Sequence, residues 1–346
     1  MRVTPLVVLV TLLGSSAVLG QDVFVPDGNA TTGACFVIPF GSSKRGPWSN
    51  QRYQSMITAK ELGPPGKSGG RICDIAFAPC GTRSFVRHFD TIEIVLGQTH
   101  ASTLSKTFAK NLVTHVQTVL RRTGYDWHQV GGRWNSVDLD RAYDYVPARG
   151  NLVVQITVTG AHHRTPGTDG MHTASVRPRL KGRVAANGWT STPPAVGFPA
   201  ITGGLKMKLF FGTSDLHEFG FGCRGSNGVP SLTLGGSARL GAAFSIRLAN
   251  APASTVALLT FSVTRLEPTL DLAPLGAPGC VLYVAPDARL ALRTDRSGTG
   301  TLSQIAVPND ARLICLRFYT QFLVFDRRAN TAGMTASNGA RVLLGR

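Results

Sequence analysis

Over much of the chain apolar and polar residues alternate with a period of two, the pattern of strands with one buried face. Residues 71–96 anchor the reading. There Cys73, Ile75 and Phe77 alternate with Ile72, Asp74 and Ala76, and Ile92, Ile94 and Leu96 alternate with Thr91, Glu93 and Val95. Between them Pro79, Cys80, Gly81 and Thr82 break the pattern as a loop does. The segment reads as strand–loop–strand, with apolar faces that need a second sheet to cover them. Leu152, Val154, Ile156 and Val158 mark a further strand, and Leu205, Met207, Leu209 and Phe211 another. Shorter strands are expected at residues 35–40, 116–120 and 135–139. Residues 63–70 (GPPGKSGG) read as a loop; the GKS there lacks the spacing and the strand-to-helix setting of a phosphate-binding loop.

Past residue 211 the texture becomes glycine-rich and lysine disappears. Short strands are expected at residues 231–234, 243–248, 256–263, 280–284, 290–292, 301–307, 313–325 and 334–344, separated by Pro- and Gly-containing turns. Such regular spacing suits a seven- or eight-stranded sandwich. With only four glutamates against 39 glycines and 20 prolines, little remains to build helices. The reading is therefore an all-β chain of two tandem antiparallel β-sandwich domains, jelly-roll or immunoglobulin-like, at residues 21–211 and 212–346.

Residues 1–20 read as a signal peptide: Arg2, an apolar run at 6–13, then small residues up to Gly20. The run is too short to span a membrane and no later stretch reaches that length. A secreted or cell-surface protein without a transmembrane segment is expected. Export makes disulfides the default for the six cysteines, and the absence of any CxxC argues against structural zinc. Cys73 and Cys315 sit inside alternating apolar runs and read as buried free thiols. Cys35, Cys80, Cys223 and Cys280 lie close to Gly or Pro, where loops are stapled, which favours Cys35–Cys80 and Cys223–Cys280.

Charge narrows the partners. The formal net charge is +17. Residues 21–211 hold 22 basic and 11 acidic side chains; residues 212–346 hold 13 arginines, no lysine and 8 acids. An exported protein this basic should adhere to anionic polymers or surfaces, the plain alternative being a solvated charged surface.

The segments FGCRGSNGVPSLTL, PLGAPGCVLYVAPD and NTAGMTASNGARVLLG resemble a Gly/Cys-rich C-terminal module of exported two-domain β proteins from planctomycete-type bacteria. CFVIPFG, the RYQ at 52–54, IAFAPCGT, and Trp127 with Trp134 ahead of LVVQITVTG are similar to an N-terminal β domain of such proteins. Together these cover most of the mature chain. The resemblance implies compartment and architecture, fits the two favoured disulfides, and brings no established activity and no catalytic residue.

Four groups of residues carry candidate chemistry. His162, His163 and His172 with Asp169 place imidazoles and a carboxylate on one loop, a metal-ligand combination. Adjacent histidines on an extended chain point opposite ways and Arg164 adds positive charge, so a solvated loop is the preferred reading and no metal is assigned. Asp138, Asp140 and Asp144, near Trp134, Tyr143 and Tyr145, suggest a glycosidase's pair of carboxylates, although aspartates beside strand ends are commonly turn residues. Trp127, Trp134, Tyr143 and Tyr145, with Trp48, Tyr125 and Trp189, either form a platform for sugar rings or fill the core. Arg177, Arg179, Lys181 and Arg183 alternate with Val176, Pro178, Leu180 and Gly182; if extended they present four cations on one face. That row either engages sulfate, carboxylate or phosphate, or protects a sheet edge. No base-reading motif accompanies it, so specific nucleic-acid recognition is not expected. The function expected is an exported, non-catalytic binding or structural protein contacting anionic polysaccharide or another cell-envelope polymer, with no cofactor. The alternative is a carbohydrate-active enzyme of glycoside-hydrolase type using Asp138–Asp144.

Overall fold

The computed structural model describes residues 20–42, 47–173, 184–199 and 204–346. Most of the segment read as a signal peptide, and the whole basic row at Arg177, Arg179, Lys181 and Arg183, lie outside the described residues. Among those described, strands dominate and pair antiparallel, and the only α-helix is the five-residue Pro64–Ser68. It occupies the segment read as a loop. Two prolines at its start need no partners for the N–H groups they lack, and their fixed φ suits a first turn.

Residues 21–211 build two facing sheets. One runs Gln21–Val25, Met207–Phe211, Gly70–Phe77 and Asn135–Ser136, with Tyr143–Tyr145 also on Gly70–Phe77. The other runs His162–His163, Ser84–Thr99, Asn151–Thr159, Gln51–Ile57, Val184–Gly188 and Phe198–Pro199, with Thr114–Val130 also on Ser84–Thr99. The two strands of residues 71–96 therefore stand in opposite sheets, and the loop between them is a corner. Their inward side chains meet across one core: Ile75 and Phe77 from one strand, Ile92, Ile94 and Leu96 from the other. Leu152, Val154, Ile156 and Val158 join them as the alternation requires. Each such fully buried side chain contributes about 1.5–3 kcal/mol relative to exposure. The Cys35–Cys80 disulfide ties the short strand Ala34–Phe36 to the corner.

Alternation fails at one point, with a consequence for the cysteines. Phe210 pairs with Asp74 and Phe211 with Ile72, so Cys73 is the extra residue of a β-bulge. The bulge turns Cys73 away from Ile75 and Phe77 into a separate cluster with Ala76, Phe210 and Leu343. There it is bonded to Cys315, 242 residues along the chain. This corrects the free-thiol reading of both residues. Cys315 is not in a strand either: the last turn before Arg317–Phe325 puts it at φ 69°, so the strand starts later than its apolar pattern suggests.

Residues 215–343 build a five-stranded sheet (Asp215–Phe219, Met334–Leu343, Arg317–Phe325, Val256–Ser262, Ala288–Arg293), a three-stranded sheet (Ser231–Gly236, Ala243–Ala249, Gly300–Ala306) and the pair Arg265–Asp271 with Val281–Val284. Phe244, Ile246, Leu248, Leu259, Phe322 and Val342 centre their core, and the Cys223–Cys280 disulfide lies in a smaller apolar cluster with Leu272 and Leu282. Among the described residues no sheet mixes strands from the two sets. Asp215–Phe219 and Arg265–Asp271 were not expected as strands, because charged residues interrupt their apolar pattern.

Candidate functional site

Arg265 and Glu267, in one of those unexpected strands, meet the first set of sheets at Asp138, Asp126 and Arg122. Arg341, in Met334–Leu343, is fully buried, with its guanidinium against the carboxylates of Asp74, Asp138 and Asp215. It also donates to the Ser136 hydroxyl at 2.7 Å, and Ser136 in turn donates to Asp74 at 2.6 Å. Asp138 adopts the left-handed backbone (φ 57°), which aspartate tolerates better than most residues. Its carboxylate lies 2.8 Å from Arg341 and 3.7 Å from Arg265. Burial alone would raise the Asp138 carboxyl; the guanidiniums of Arg341, Arg265, Arg317 and Arg122 outweigh it and hold it at about 2. Glu267 bridges Arg122 at 2.6 Å and Arg265 at 3.0 Å. Arg122 and Arg265 also lie over the Tyr125 ring at 5.2 and 5.4 Å. Such a network fixes the meeting of the two halves because any partner left alone in it is a desolvated charge.

Beside it opens a cleft of about 670 Å³ with walls from both sets of strands. Arg121, Arg122, Arg265 and Arg317 line it, against Asp140 and Glu267. Leu139, Val263 and Leu316 supply apolar wall. Its lining is polar and both halves build it, so a small charged ligand can be held there.

The acids read as a glycosidase pair go to arginines instead. Asp138 is in the buried network; Asp140 accepts from Arg122 at 3.0 Å and from the Arg121 backbone N–H at 2.9 Å; Asp144 pairs with Arg71 at 2.8 Å on the surface. A glycosidase needs one carboxyl ready to give up a proton. Asp138, ionised down to about 2, is the opposite of that.

The aromatic platform is corrected too. Trp127, Tyr143 and Tyr145 are buried in the first core. Trp127 packs on Phe40 with centroids 4.9 Å apart and donates its indole N–H to the Ser136 carbonyl at 2.8 Å. The Tyr145 hydroxyl donates to the Gly150 carbonyl at 2.8 Å. Trp134 is half-buried against Phe24 at 5.5 Å and donates to the Asn29 carbonyl. Tyr125 and Trp189 are buried as well, and Trp48 alone of the tryptophans is largely exposed, at 55%. The reason is area: rings this large bury the most apolar surface when they are inside.

The histidines of the 160–173 loop part company. His163 binds Asp169 at 2.9 Å, and Asp169 also meets Arg87; His162 packs on the His88 ring at 4.7 Å. His172 has its Nδ1 3.7–3.8 Å from the sulfurs of Cys80 and Cys35. Among the described residues that is the only grouping of three metal-type ligands, and its two sulfurs are bonded to each other rather than being thiolates.

The residues that sequence reasoning missed are Arg122, Arg265, Arg317 and Arg341. A signal existed for Arg341, a single charge within the apolar run before the C-terminus; the others look like ordinary surface arginines until the two halves are brought together.

No protein-family model and no curated protein matches the chain. Among solved structures it is similar to a β-glucuronidase of Bifidobacterium dentium, in complex with coumarin-3-O-glucuronide, at a TM-score of 0.17 and 8% identity over 84% of this chain. The chain spans 39% of that enzyme's length. It is also similar to Penaeus vannamei nodavirus in its T=3 structure (TM-score 0.16, 10% identity, 99% of this chain and 96% of that one) and in its T=1 structure (0.13, 9%, 86% and 83%). Scores this low carry no argument about activity.

Proposed function

We propose that this is an exported, non-catalytic protein that adheres to anionic polysaccharide or a similar anionic polymer of the cell envelope. The observation that carries the reading is how its charges are divided. The carboxylates of residues 138–144 are each engaged by an arginine, while the arginine surplus is displayed outward. Arg224, Arg239, Arg289, Arg293, Arg327 and Arg328 are exposed and have no side-chain ion pair among the described residues. Arg289 and Arg293 lie on one face of Ala288–Arg293, the outer strand of its sheet, where every residue but one is exposed. An edge of this kind resists pairing with other strands and also offers a row of guanidiniums to sulfate or carboxylate. Three disulfides with no free cysteine among the described residues suit an oxidising compartment, as does the resemblance to exported planctomycete-type proteins. No helix of the described residues is long and apolar enough to cross a membrane.

The test is chromatography on a sulfated or carboxylated polysaccharide matrix, with the eluted protein assayed for polymer cleavage. Retention beyond about 0.15 M salt is expected, with earlier elution for the double variant Arg289→Gln, Arg293→Gln and no release of reducing ends. Passage through the matrix at low salt, or cleavage of the polymer, would refute the reading.

A further inference from the structure

The cleft between the two sets of sheets holds positive charge that its own walls do not neutralise. Asp140 and Glu267 are both engaged by Arg122, and Glu267 by Arg265 as well. Arg121 reaches outward to Glu93 and stays 72% exposed. Arg317 is different. One of its terminal nitrogens donates to the Cys73 carbonyl at 2.8 Å; the other is shielded from bulk water without an acceptor, and no carboxylate pairs with it among the described residues. Asp138 is near enough for its field to act but already binds Arg341 and Arg265. The Nε of Arg265, in a side chain only 4% exposed, likewise has no acceptor. Shielded guanidinium nitrogens without acceptors are costly, and their charge adds to the positive field of the cleft, where Arg121, Arg122, Arg265 and Arg317 stand against only Asp140 and Glu267.

The surroundings define the rest of the ligand. A second hollow of about 320 Å³ adjoins the cleft, sharing Arg121 and Asp140 and adding the exposed Arg141. At the rim Val263 and Leu316 are exposed by 67% and 45%, an apolar contact that a bare inorganic ion cannot use. A volume near 670 Å³ falls within the range of small-molecule sites.

We infer that this cleft binds a ligand of about sugar size that carries an oxyanion, its carboxylate or sulfate held by Arg317 with Arg121 and Arg141 at the mouth and its less polar face against Val263 and Leu316. This goes beyond surface adhesion and does not depend on it, since Arg289 and Arg293 do not line the cleft. Because both halves supply walls, the occupied cleft also holds them together.

Calorimetry and thermal unfolding of the intact, disulfide-bonded chain at low ionic strength test the site, with a hexuronic acid, the matching neutral hexose and inorganic sulfate as probes. The hexuronate is expected to bind and to raise the unfolding midpoint, the hexose to do neither, and sulfate to compete with the hexuronate. Arg317→Gln should weaken hexuronate at least about tenfold, as expected for a charge-assisted hydrogen bond. Arg121→Gln, at an exposed position that leaves the interior intact, should weaken it about threefold. The Arg289→Gln, Arg293→Gln variant should bind it as the parent does. Should Arg317→Gln fail to fold, Arg121→Gln and the sulfate competition decide. Absence of hexuronate binding, equal binding of the neutral hexose, no competition by sulfate, or parental affinity in Arg121→Gln would each overturn the inference.

Discussion

Replacing Arg341 by methionine is expected to lower the unfolding free energy by about 3–5 kcal/mol, the usual cost of removing one partner from a buried ion network. Methionine matches much of the length of arginine, so the loss is electrostatic rather than a cavity. What remains is Asp74, Asp138 and Asp215 facing one another with the shared guanidinium gone. Asp74 keeps the Ser136 hydroxyl and the Ile75 and Leu139 N–H groups, and Asp138 keeps Arg265 at 3.7 Å, so collapse is not expected. Denaturant titration checks it: the midpoint should fall with little change in slope. The deficit should also depend on pH. In the parent, the depressed Asp138 carboxyl contributes stability that is present above its ordinary value near 3.9 and lost as pH falls toward 2. The variant lacks most of that contribution, so its deficit should be largest at neutral pH and shrink as the carboxylates protonate. A cost below about 1 kcal/mol, the scale of exposed ion pairs, would show that the network does not hold the halves as described.

The second large effect is acid lability set by His128. Its ring, on Thr114–Val130, packs among Tyr283, Phe221 and Phe219 of the other half with centroids 5.2–6.4 Å away. Its Nδ1 is buried without a partner. Burial is the main force pushing the imidazole down, the Arg265 guanidinium adds to it, Asp126 opposes both, and the result is about 3. The unfolded chain takes up a proton near pH 6.5, whereas the folded one resists until about 3. Stability is therefore full above 6.5 and falls as pH drops from there toward 3, by about 1.4 kcal/mol per pH unit. Going from pH 6.5 to 5 should cost on the order of 2 kcal/mol. In His128→Phe this upper limb should become shallower, keeping the part owed to His217, which burial and then Arg341 also lower, while the lower limb, from Asp138, persists. Unfolding midpoints at pH 7, 6, 5 and 4 make the comparison; parallel curves for parent and variant would contradict it.

Much of the fold was legible because alternation reports burial directly. Ile92, Ile94 and Leu96, or Leu152 to Val158, could face only one way, and the structure places them in one core. What the pattern could not report is a bulge, since the register of Cys73 is set by its partner strand and not by its own neighbours. Its bond to Cys315 was hidden for the same reason. Nor could alternation find Asp215–Phe219 and Arg265–Asp271, where Asp215, Arg265 and Glu267 mimic a loop until their partners, 126 to 145 residues away in the chain, are brought beside them. The candidate site was less legible than the fold. The aromatics offered both a platform and a core reading, and only packing decides that choice. The arginines of the cleft have no local signature, because their burial arises from the meeting of two surfaces. The row at Arg177–Arg183 stays a feature of the sequence alone.

The Cys73–Cys315 bond has one more consequence, for the connectivity of the molecule. The peptide backbone is not the sole covalent route from one half to the other, since the chain and this bond form a closed circuit between residues 242 positions apart. A protease that nicks the polypeptide once anywhere inside that circuit, including the short stretch at 212–214 where one set of strands ends and the next begins, leaves a single particle, heavier only by the water that hydrolysis adds. Two fragments would part only after a thiol reductant had opened the circuit and the ionic contacts had been dissolved.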